Sequence, residues 1–345
     1  MRVGITYDLA EDYLFAGFSE EEAAEFDRPD TIEGIEAALQ DLGYQTDRIG
    51  SVQSLVNRLA IGERWDMVFN IAEGARGFGR ESQVPALLEA YEIPYTFSDP
   101  MVLALSLHKG MTKHVVRDMN IPTPDFCVVE RLNDLDHIDL AFPVFAKPVA
   151  EGTGKGINAA SKIKMKKEMA SVCRRLLDTY DQPVLLETFM SGREFTVGLV
   201  GTGDRSTAVG VIEVLLQKDA DPEVYSYSNK KQFEERVRYI LVEDDEAQRA
   251  ADVALAVWRG LGCRDAGRID LRSDGKGMPH FLEVNPLAGL NPEISDLPIL
   301  CGLAGMTYGE LIAKIMESAF ERYFRPSHTP RPYISYPRAS NPSPI

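Results

Sequence analysis

Four polar residues on two neighbouring stretches have side chains that suit metal binding. Arg268 and Asp270 lie two residues apart in an apolar stretch, and Glu283 and Asn285 do so after a Gly-rich turn. Because side chains alternate faces along a strand, a β-hairpin would bring all four to one face. Mg²⁺ prefers oxygen ligands and is usually held by one or two carboxylates together with substrate phosphates. We therefore predict a magnesium site formed by Asp270, Glu283 and Asn285.

The alternative for this hairpin is an ordinary amphipathic one whose polar face is solvated. Ile269 and Leu271 on one strand, and Phe281 and Val284 on the other, predict that both strands are buried. Buried carboxylates need partners, which favours the metal site over the solvated face.

A second stretch suits a phosphate group. Lys147 ends a predicted strand at 142–148, and residues 151–156 follow with the sequence Glu-Gly-Thr-Gly-Lys-Gly. Glycines let backbone N–H groups approach phosphate oxygens, and lysines supply positive charge, so we predict a nucleotide-phosphate site. The spacing is not Gly-x4-Gly-Lys-Ser/Thr, which excludes the P-loop fold. The lysines of 161–167 are predicted to begin a solvated helix, with a second phosphate site as the alternative.

A third stretch, residues 72–81, follows a predicted buried strand at 65–71 and combines glycines with Arg76 and Arg80. Ligands of open α/β sheets bind at the carboxyl ends of strands, where two arginines are able to clamp a carboxylate. The alternative is that they balance Glu73 and Glu81 at the surface. The sequence leaves both interpretations open.

The composition limits the class of protein. The 345 residues exceed what one core normally supports, which predicts two or three domains. A net charge of -16 argues against a nucleic-acid partner. No run of 18 apolar residues and no basic leader are present, so we expect a cytosolic protein without membrane contact. Four widely spaced cysteines predict buried thiols, not a zinc site or disulfides.

Hydrophobic patterning predicts an N-terminal α/β segment. Strands at 2–7, 65–71 and 93–97 alternate with helices at 31–42 and 82–91, the first capped by Asp30 or Thr31. Residues 8–30, between the first strand and helix, hold nine acids and one arginine. They form either a lid over a site or a solvated helix from Ser19 to Phe26. Near the other end, a helix at 308–322 precedes a Pro-rich segment, 325–345, that is expected to be extended or disordered.

The order of these motifs resembles the ATP-grasp superfamily and, within it, the D-alanine–D-alanine ligase family. The similarity runs from about Leu107 to Ile315 and, more weakly, from Phe69 to Phe97. It implies an open α/β domain at 1–100, followed by two α+β lobes at 101–186 and 187–322 that sandwich ATP, and a tail at 323–345. It also implies ATP, Mg²⁺ (two ions, with Mn²⁺ as a substitute), amino-acid-like substrates and a homodimer.

The resemblance also assigns site residues, position by position. For ATP they are Lys109 and Lys147 at the phosphates, Glu151, Gly152, Thr153, Gly154, Lys155 and Gly156 over the γ-phosphate, Glu187, Phe189 and Met190 at adenine, and Glu194 at ribose. Arg268 resembles the arginine that stabilises the tetrahedral intermediate, while Lys230 and Thr153 are the other catalytic candidates. The predicted metal ligands Asp270, Glu283 and Asn285 resemble the family's own. Substrate candidates are Glu73, Arg76, Arg80, Gly289, Glu293 and Ser295.

The departures from the family pattern concern the amino-acid substrates. Gly152-Thr153-Gly154 stands where the family has Gly-Ser-Ser, Glu73 replaces the histidine of a His-Gly loop, and Lys231 follows Lys230 where a tyrosine is expected. The early Gly-Gly-x-Ser-x-Glu element is absent from residues 4–8, and residues 286–295 differ from the family's serine-containing loop. The residues that the resemblance assigns to ATP are retained, whereas those that it assigns to the amino-acid substrates differ.

We therefore predict an ATP-dependent carboxylate–amine ligase that forms a dipeptide or amide through an acyl phosphate and releases ADP and phosphate. The alternatives are a ligase of secondary metabolism, including one that closes a ring within one molecule, and a non-catalytic ATP-binding regulator. D-alanine is predicted not to be the best substrate pair, because the Gly-Gly-x-Ser-x-Glu element is missing and the acidic 8–30 segment stands in its place. Glu293 would in addition repel an incoming carboxylate. The alternative is that Glu293 faces solvent while Ser295, Arg76 or Arg80 contacts the carboxylate.

Overall fold

A computed structural model describes residues 1–216 and 237–324 of the chain. The catalytic candidate Lys230, its neighbour Lys231 and the Pro-rich segment 325–345 lie outside the described residues. Residues 323 and 324, predicted to belong to that tail, instead complete the last turn of a helix that ends at Phe324.

The N-terminal part is an open parallel sheet with helices around it, as its alternating pattern predicts. The strands are β1 (Arg2–Thr6), β2 (Gln45–Gly50) and β3 (Met67–Asn70), in the order β2-β1-β3. The helices are α1 (Ala10–Phe15), α2 (Pro29–Asp41), α3 (Val52–Ala60) and α4 (Gln83–Ala90). Strand β1 is buried along nearly its whole length, as expected for a parallel strand covered on both faces.

Two predicted boundaries in this part are wrong. Helix α2 begins at Pro29 with Arg28 as its N-cap, not at Asp30 or Thr31, because the fixed φ of proline suits the first helical position. The predicted strand at 93–97 is reduced to one parallel bridge, in which Tyr95 pairs with Val68. Phe97 leaves extended geometry with a φ of 70°.

The central part is an antiparallel sheet of four strands covered by one long helix. The strands are β4 (Phe126–Val129), β5 (Val144–Pro148), β6 (Lys162–Ile163) and β7 (Val184–Thr188), in the order β4-β7-β5-β6. The helices of this part are α5 (Pro100–Leu107), α6 (Lys109–Asp118) and α7 (Lys166–Tyr180). The helix predicted to begin within 161–167 begins at Lys166, because Lys162 and Ile163 pair with β5 as a short strand.

The third part is an antiparallel sheet of five strands that contains the predicted hairpin. Its strands are β8 (Glu194–Val200), β9 (Thr207–Leu216), β10 (Val237–Leu241), β11 (Ala266–Ser273) and β12 (Pro279–Asn285), in the order β10-β9-β8-β11-β12. The helices are α8 (Asp245–Leu261), α9 (Asp296–Leu303) and α10 (Tyr308–Phe324). Helix α8 packs its alanine-rich face and Trp258 against this sheet.

The hairpin has the register that the alternation of polar residues predicts. Strands β11 and β12 pair Arg268 with Asn285 and Asp270 with Glu283. Gly267 is required at the start, because a Cβ there would lie 2.5 Å from the carbonyl oxygen of Asn285 and 2.7 Å from the ring of Trp258. This close approach lets α8 press against the back of the hairpin, which leaves the polar face open towards the central sheet.

The last helix returns to the first part of the chain. Helix α10 packs Leu311, Ile312 and Ile315 into the same core as Ile32 and Ile35 of α2. Within the described residues no single helix is both long and apolar enough to span a membrane, although α9 and α10 together, bent by 111°, meet that test. Of the four thiols, those of Cys173, Cys263 and Cys301 are buried and that of Cys127 is partly exposed.

The acidic segment 8–30 is not a solvated surface helix. Between Ser19 and Phe26 the chain forms only a short 3-10 helix, Glu22–Glu25, and α1 precedes it. Tyr13 stacks on Phe26 with ring centroids 3.9 Å apart, and Phe18 meets Tyr13 edge-on at 5.2 Å. The side chain of Glu25 is 8% exposed. This segment folds as a small aromatic-cored lobe against the rest of the protein, which agrees with the lid interpretation.

Candidate active site

Two cavities adjoin one another at the centre of the protein. The first lies between the four-stranded and five-stranded sheets, and its wall includes Lys147, residues of 151–157, Phe189, Met190 and Glu194. The second, of about 600 Å³, lies between the 8–30 segment, the 73–81 loop and the hairpin. Residues that line both cavities mark where they meet, and these are Lys109, Gly152, Arg268 and Glu283.

The Gly-rich loop has the backbone that its composition predicts. Thr153, Gly154 and Gly156 have φ angles of 52°, 71° and 76°, in the left-handed region that favours glycine. Lys109 on α6 donates from its ammonium group to the carbonyl oxygen of Glu151 at 2.6 Å. The loop is therefore coiled beside Lys109, and four of its residues, Glu151, Gly152, Gly154 and Lys155, line the first cavity. Thr153 lines the second cavity instead.

A buried chain of charges runs behind the loop. Glu187 forms ion pairs with Lys147 at 3.0 Å and with Lys113 at 2.8 Å. Burial alone would raise the pKa of Glu187, but the two ammonium groups outweigh burial and lower that pKa. The same burial lowers the pKa of Lys113 to about 8, although Glu187 opposes that shift. The carboxylate of Glu187 thus fixes the two lysines, while its strand β7 leads into the predicted adenine segment.

Lys113 was missed from the sequence. Its Nζ also lies 2.9 Å from Oγ1 of Thr123 and 3.1 Å from the carbonyl oxygen of Phe281, so it ties α6 to the hairpin. A signal was present: Lys113 follows Lys109 by four residues in a predicted helix, which places both on one face.

Aromatic and charged groups line the far end of the first cavity. The ring of Phe189 lies 4.0 Å from the Lys162 ammonium and 4.7 Å from the Arg272 guanidinium. Arg272 also donates to Glu194 at 3.1 Å. Lys164, Lys166 and Lys167 are exposed, as the solvated interpretation predicted, whereas Lys162 is half-buried beside Phe189.

The polar face of the hairpin gathers the predicted metal ligands and Arg268. Thr196 donates to Oδ1 of Asp270 at 2.8 Å, Arg268 pairs with Asp270, and Lys109 lies 3.5 Å from Oε2 of Glu283. Burial would lower the pKa of Arg268, but Asp270, Asp296 and Glu283 raise it above the usual value. The guanidinium therefore stays charged in a recessed position, 12% exposed.

The donor set of the hairpin fits a cation that shares its shell with phosphates. Asp270 and Glu283 face each other across one strand pair, and the amide of Asn285 lies beside Asp270, with Nδ2 3.4 Å from Oδ2. Among the described residues no group of three His, Cys, Asp or Glu side chains is arranged around a metal position. Two carboxylates and an amide oxygen are too few for an all-protein cage but suit Mg²⁺, which keeps water and substrate oxygens.

Two of the predicted substrate residues lie outside the second cavity. Arg76 is exposed, with its guanidinium 5.7 Å from the ring of Phe18. Glu293 is also exposed, because Oδ1 of Asn291 accepts from the N–H groups of Glu293 and Ile294 and turns this loop outwards. The expectation that Glu293 repels an incoming carboxylate is therefore wrong, and the alternative, that it faces solvent, agrees with the structure.

The other four substrate candidates line the second cavity. They are Glu73, Arg80, Gly289 and Ser295. Arg80 is neither a free clamp nor a surface charge, since it donates to Glu25 at 2.8 Å and to the carbonyl oxygen of Ala150 at 3.1 Å. Oγ of Ser295 accepts from the N–H of Asn291 at 3.0 Å and lies close to Gly289, where a Cβ would be 2.9 Å from it.

The second cavity has an acidic wall that sequence reasoning largely missed. Asp27, Glu73 and Glu81 all line it, and only Glu73 was a candidate. Burial, reinforced by neighbouring carboxylates, raises the pKa of Asp27 and of Glu73 well above the usual values. Burial likewise raises the pKa of Glu81, to about 7, against the opposing charge of Arg80. Carboxylates that are costly to ionise gain most from a cationic ligand, so this wall suits an amine.

Glu81 makes folding stability depend on pH in a predictable direction. Between about pH 4.5 and about pH 7 the folded protein keeps the proton that the unfolded chain has lost, so stability falls as pH rises through this window. Glu81→Gln removes the ionisable group and is expected to raise the Tm at about pH 8, by the equivalent of about 1 to 3 kcal/mol, and to have little effect at about pH 4.

Thermal unfolding over that pH range checks this prediction. The exposed Glu33→Gln, on α2, is the control and should leave the pH dependence of the Tm unchanged. A Glu81→Gln protein whose Tm differs from wild type by the same amount at both pH values would show that Glu81 ionises normally.

Comparison with known proteins agrees with this architecture. The family model described as "D-ala D-ala ligase C-terminus" matches residues 115–317. A D-alanine–D-alanine ligase of Bordetella petrii is 33% identical over 292 residues, which cover 83% of this chain and 82% of the relative.

Solved structures share the fold. The D-alanine–D-alanine ligase of Bacillus anthracis, in complex with ATP, superposes with a TM-score of 0.69 at 21% identity, covering 93% of this chain and 98% of that one. The VanG D-Ala:D-Ser ligase of Enterococcus faecalis gives a TM-score of 0.70 at 18% identity, covering 92% and 99%.

The three sheets, the coiled Gly-rich loop and the polar hairpin face define an enzyme with the ATP-grasp fold, which confirms the predicted fold class. The chain belongs to the D-alanine–D-alanine ligase family and is an ATP-dependent C–N ligase that forms dipeptides. The alternatives of a ring-closing ligase and of a non-catalytic regulator are not favoured.

Proposed function

We propose that the first cavity binds ATP, that the second binds the amino-acid substrates, and that acyl phosphate forms where the cavities meet. The observation that supports this division is the shared wall of Lys109, Gly152, Arg268 and Glu283. A γ-phosphate delivered from one side and a substrate carboxylate from the other would meet beside two cations. Such preorganised charges stabilise the transition state without reorganisation.

The roles proposed for the ATP-binding residues follow from their positions. Lys109, Lys147 and the 151–156 loop contact the phosphates, Phe189 and Met190 border the base, and Glu194 borders the ribose. Glu187 serves mainly to hold Lys113 and Lys147, since its carboxylate forms an ion pair with each of them. Lys230 is proposed as a catalytic lysine on the resemblance alone.

The roles proposed at the junction concern charge. Asp270, Glu283 and Asn285 would hold Mg²⁺, which when bound neutralises phosphate charge and polarises the P–O bonds. Arg268 offers its guanidinium to the oxyanion that forms when the amine attacks the acyl phosphate. Thr153, at the edge of the second cavity, offers a hydroxyl to the substrate carboxylate. The coiled loop shields the acyl phosphate from water.

For substrates we propose two small amino acids, in line with the names of the relatives. The amine ends face Asp27, Glu73 and Glu81, whose carboxylates favour a cation, and Ser295 and Gly289 line the same cavity. That D-alanine is not the best pair stays a prediction, which now rests on the missing Gly-Gly-x-Ser-x-Glu element and on this acidic wall.

We also propose the larger organisation that the resemblance implies. The domains are residues 1–100, 101–186 and 187–322, the active protein is a homodimer, and it works in the cytoplasm, where ATP is available. Val102 and Val116 pack in the core of the five-stranded sheet, so α5 and α6 lie against the C-terminal lobe although they precede the central sheet in the chain.

The proposed function predicts ADP, phosphate and a dipeptide as stoichiometric products. The test is to incubate the protein with ATP, Mg²⁺ and pooled D- and L-amino acids, and to read nucleotide and amide products by mass spectrometry. Glu293→Gln, which alters an exposed acid outside the cavity, should match wild type. AMP and pyrophosphate as the products would contradict the acyl-phosphate route.

A further inference from the structure

Resting on the proposed function, we propose that Glu25 is a positioning residue that fastens the Gly-rich loop to the wall of the amino-acid cavity. The loop would then close over the nucleotide only when that wall is in place. Nothing in the sequence marks Glu25 apart from the eight other acids of the 8–30 segment.

The contacts of Glu25 join three separate stretches of chain. Oε1 accepts from the backbone N–H of Gly152 at 2.5 Å and lies 3.3 Å from Nζ of Lys155. Oε2 accepts from Arg80 at 2.8 Å, and Arg80 in turn donates to the carbonyl oxygen of Ala150. The carboxylate of Glu25 therefore links the 8–30 segment and the 73–81 loop to both ends of the Gly-rich loop.

This group of contacts is recessed, so it is more than a surface ion pair. The side chains of Glu25, Arg80 and Lys155 are 8%, 9% and 8% exposed. Burial would raise the pKa of Glu25, but Arg80 and Lys155 outweigh it and lower that pKa. Removing one partner from such a group leaves buried charges without compensation, which costs far more than breaking an exposed pair.

The same contacts hold the ammonium group of Lys155 within the loop. Its ammonium group lies between Glu25, at 3.3 Å, and Glu151, at 2.5 Å. The resemblance assigns Lys155 to the γ-phosphate, but in this structure its charge is used to hold the loop. Gly152 allows this close approach, because a Cβ at its position would lie 2.9 Å from Oε1 of Glu25 and the carboxylate would have to shift.

Glu25 also belongs to the amino-acid cavity. Ala23, Ala24, Glu25 and Phe26 line it, and Gly152 lines both cavities. A substrate that packs against this wall would hold the 8–30 segment in place and with it the loop. An acyl phosphate would then form only under a closed loop, where water is excluded.

Limited digestion with trypsin tests the fastening without any need for activity. The Lys155–Gly156 bond is protected while Lys155 is buried, so Glu25→Gln should speed cleavage there about tenfold or more, since local opening follows the strength of the lost contacts. Glu22→Gln, on the same 3-10 helix but exposed and hydrogen-bonded to Ser19, should leave cleavage at wild-type speed. Glu25→Ala should give the same readout, and a cooperative unfolding transition with the wild-type far-UV circular dichroism spectrum shows that the rest of the fold persists.

A second readout measures how tightly ATP hydrolysis is coupled to amide formation. With ATP and the amino acids that wild type joins, Glu25→Gln should release several ADP per amide formed, whereas wild type and Glu22→Gln release about one. Unchanged cleavage at Lys155 in both Glu25 variants would overturn the fastening, whatever the activity. A wild-type protein that makes no amide would instead contradict the proposed function, and faster cleavage in Glu25→Gln would still support the fastening.

Discussion

Arg268→Ala is expected to bind ATP and to fail in amide formation. Arg268 borders both cavities and is held in its charged form by Asp270, Asp296 and Glu283. Loss of its guanidinium removes the cation offered to the tetrahedral oxyanion. Removal of one such donor typically costs about 2 to 4 kcal/mol of transition-state stabilisation, or roughly 30- to 1000-fold in rate.

The measurement separates this role from a purely structural one. ATP binding is followed by calorimetry and amide formation by single-turnover kinetics, so that a lost chemical step is distinguished from lost binding. Arg193→Ala removes a guanidinium that pairs with Glu213 and Asp244 outside both cavities, and it should retain activity. Amide formation at wild-type rate in Arg268→Ala would assign Arg268 only to its ion pair with Asp270.

Glu283→Gln is expected to lower turnover by orders of magnitude while the fold persists. The change keeps the shape of the side chain but removes one of the two carboxylates that face each other across β11 and β12. Mg²⁺ bound at a site of few protein ligands depends strongly on each carboxylate charge. The neighbouring Lys109 also loses its counter-charge at 3.5 Å.

Mn²⁺ provides a direct view of this metal site. Its paramagnetic resonance signal in the presence of ATP should report tight binding to wild type and weaker binding to Glu283→Gln. Glu293→Gln, an exposed acid downstream of the same hairpin, serves as the control and should bind Mn²⁺ normally. Wild-type turnover and Mn²⁺ affinity in Glu283→Gln would mean that the hairpin is not the metal site.

Sequence reasoning predicted best the elements whose conformation depends on residues close together in the chain. The alternation of Arg268, Asp270, Glu283 and Asn285 with apolar residues determines both the hairpin and its polar face, because strand geometry has a period of two. The glycines of 152–156 likewise predict a loop, and Thr153 and Gly154 have left-handed φ angles there.

The features that were missed depend on contacts far apart in the chain. Glu25 reaches Gly152 across 127 residues, and Lys113 reaches Phe281 across 168. Glu293 was predicted to face a substrate because its loop follows the hairpin, but the N–H groups of Glu293 and Ile294 donate to Oδ1 of Asn291 and the Glu293 side chain is exposed. Periodicity describes which face a side chain takes within its own element, whereas these outcomes depend on how separate elements pack together.

The most direct test of the acyl-phosphate mechanism follows an oxygen atom. Amino acids carrying heavy oxygen in their carboxylates are supplied with ATP and Mg²⁺, and the released phosphate is analysed by mass spectrometry. Attack of the carboxylate on the γ-phosphate predicts that each phosphate released with a dipeptide carries one heavy oxygen. Dipeptide formation with unlabelled phosphate, or with heavy oxygen in AMP, would contradict it.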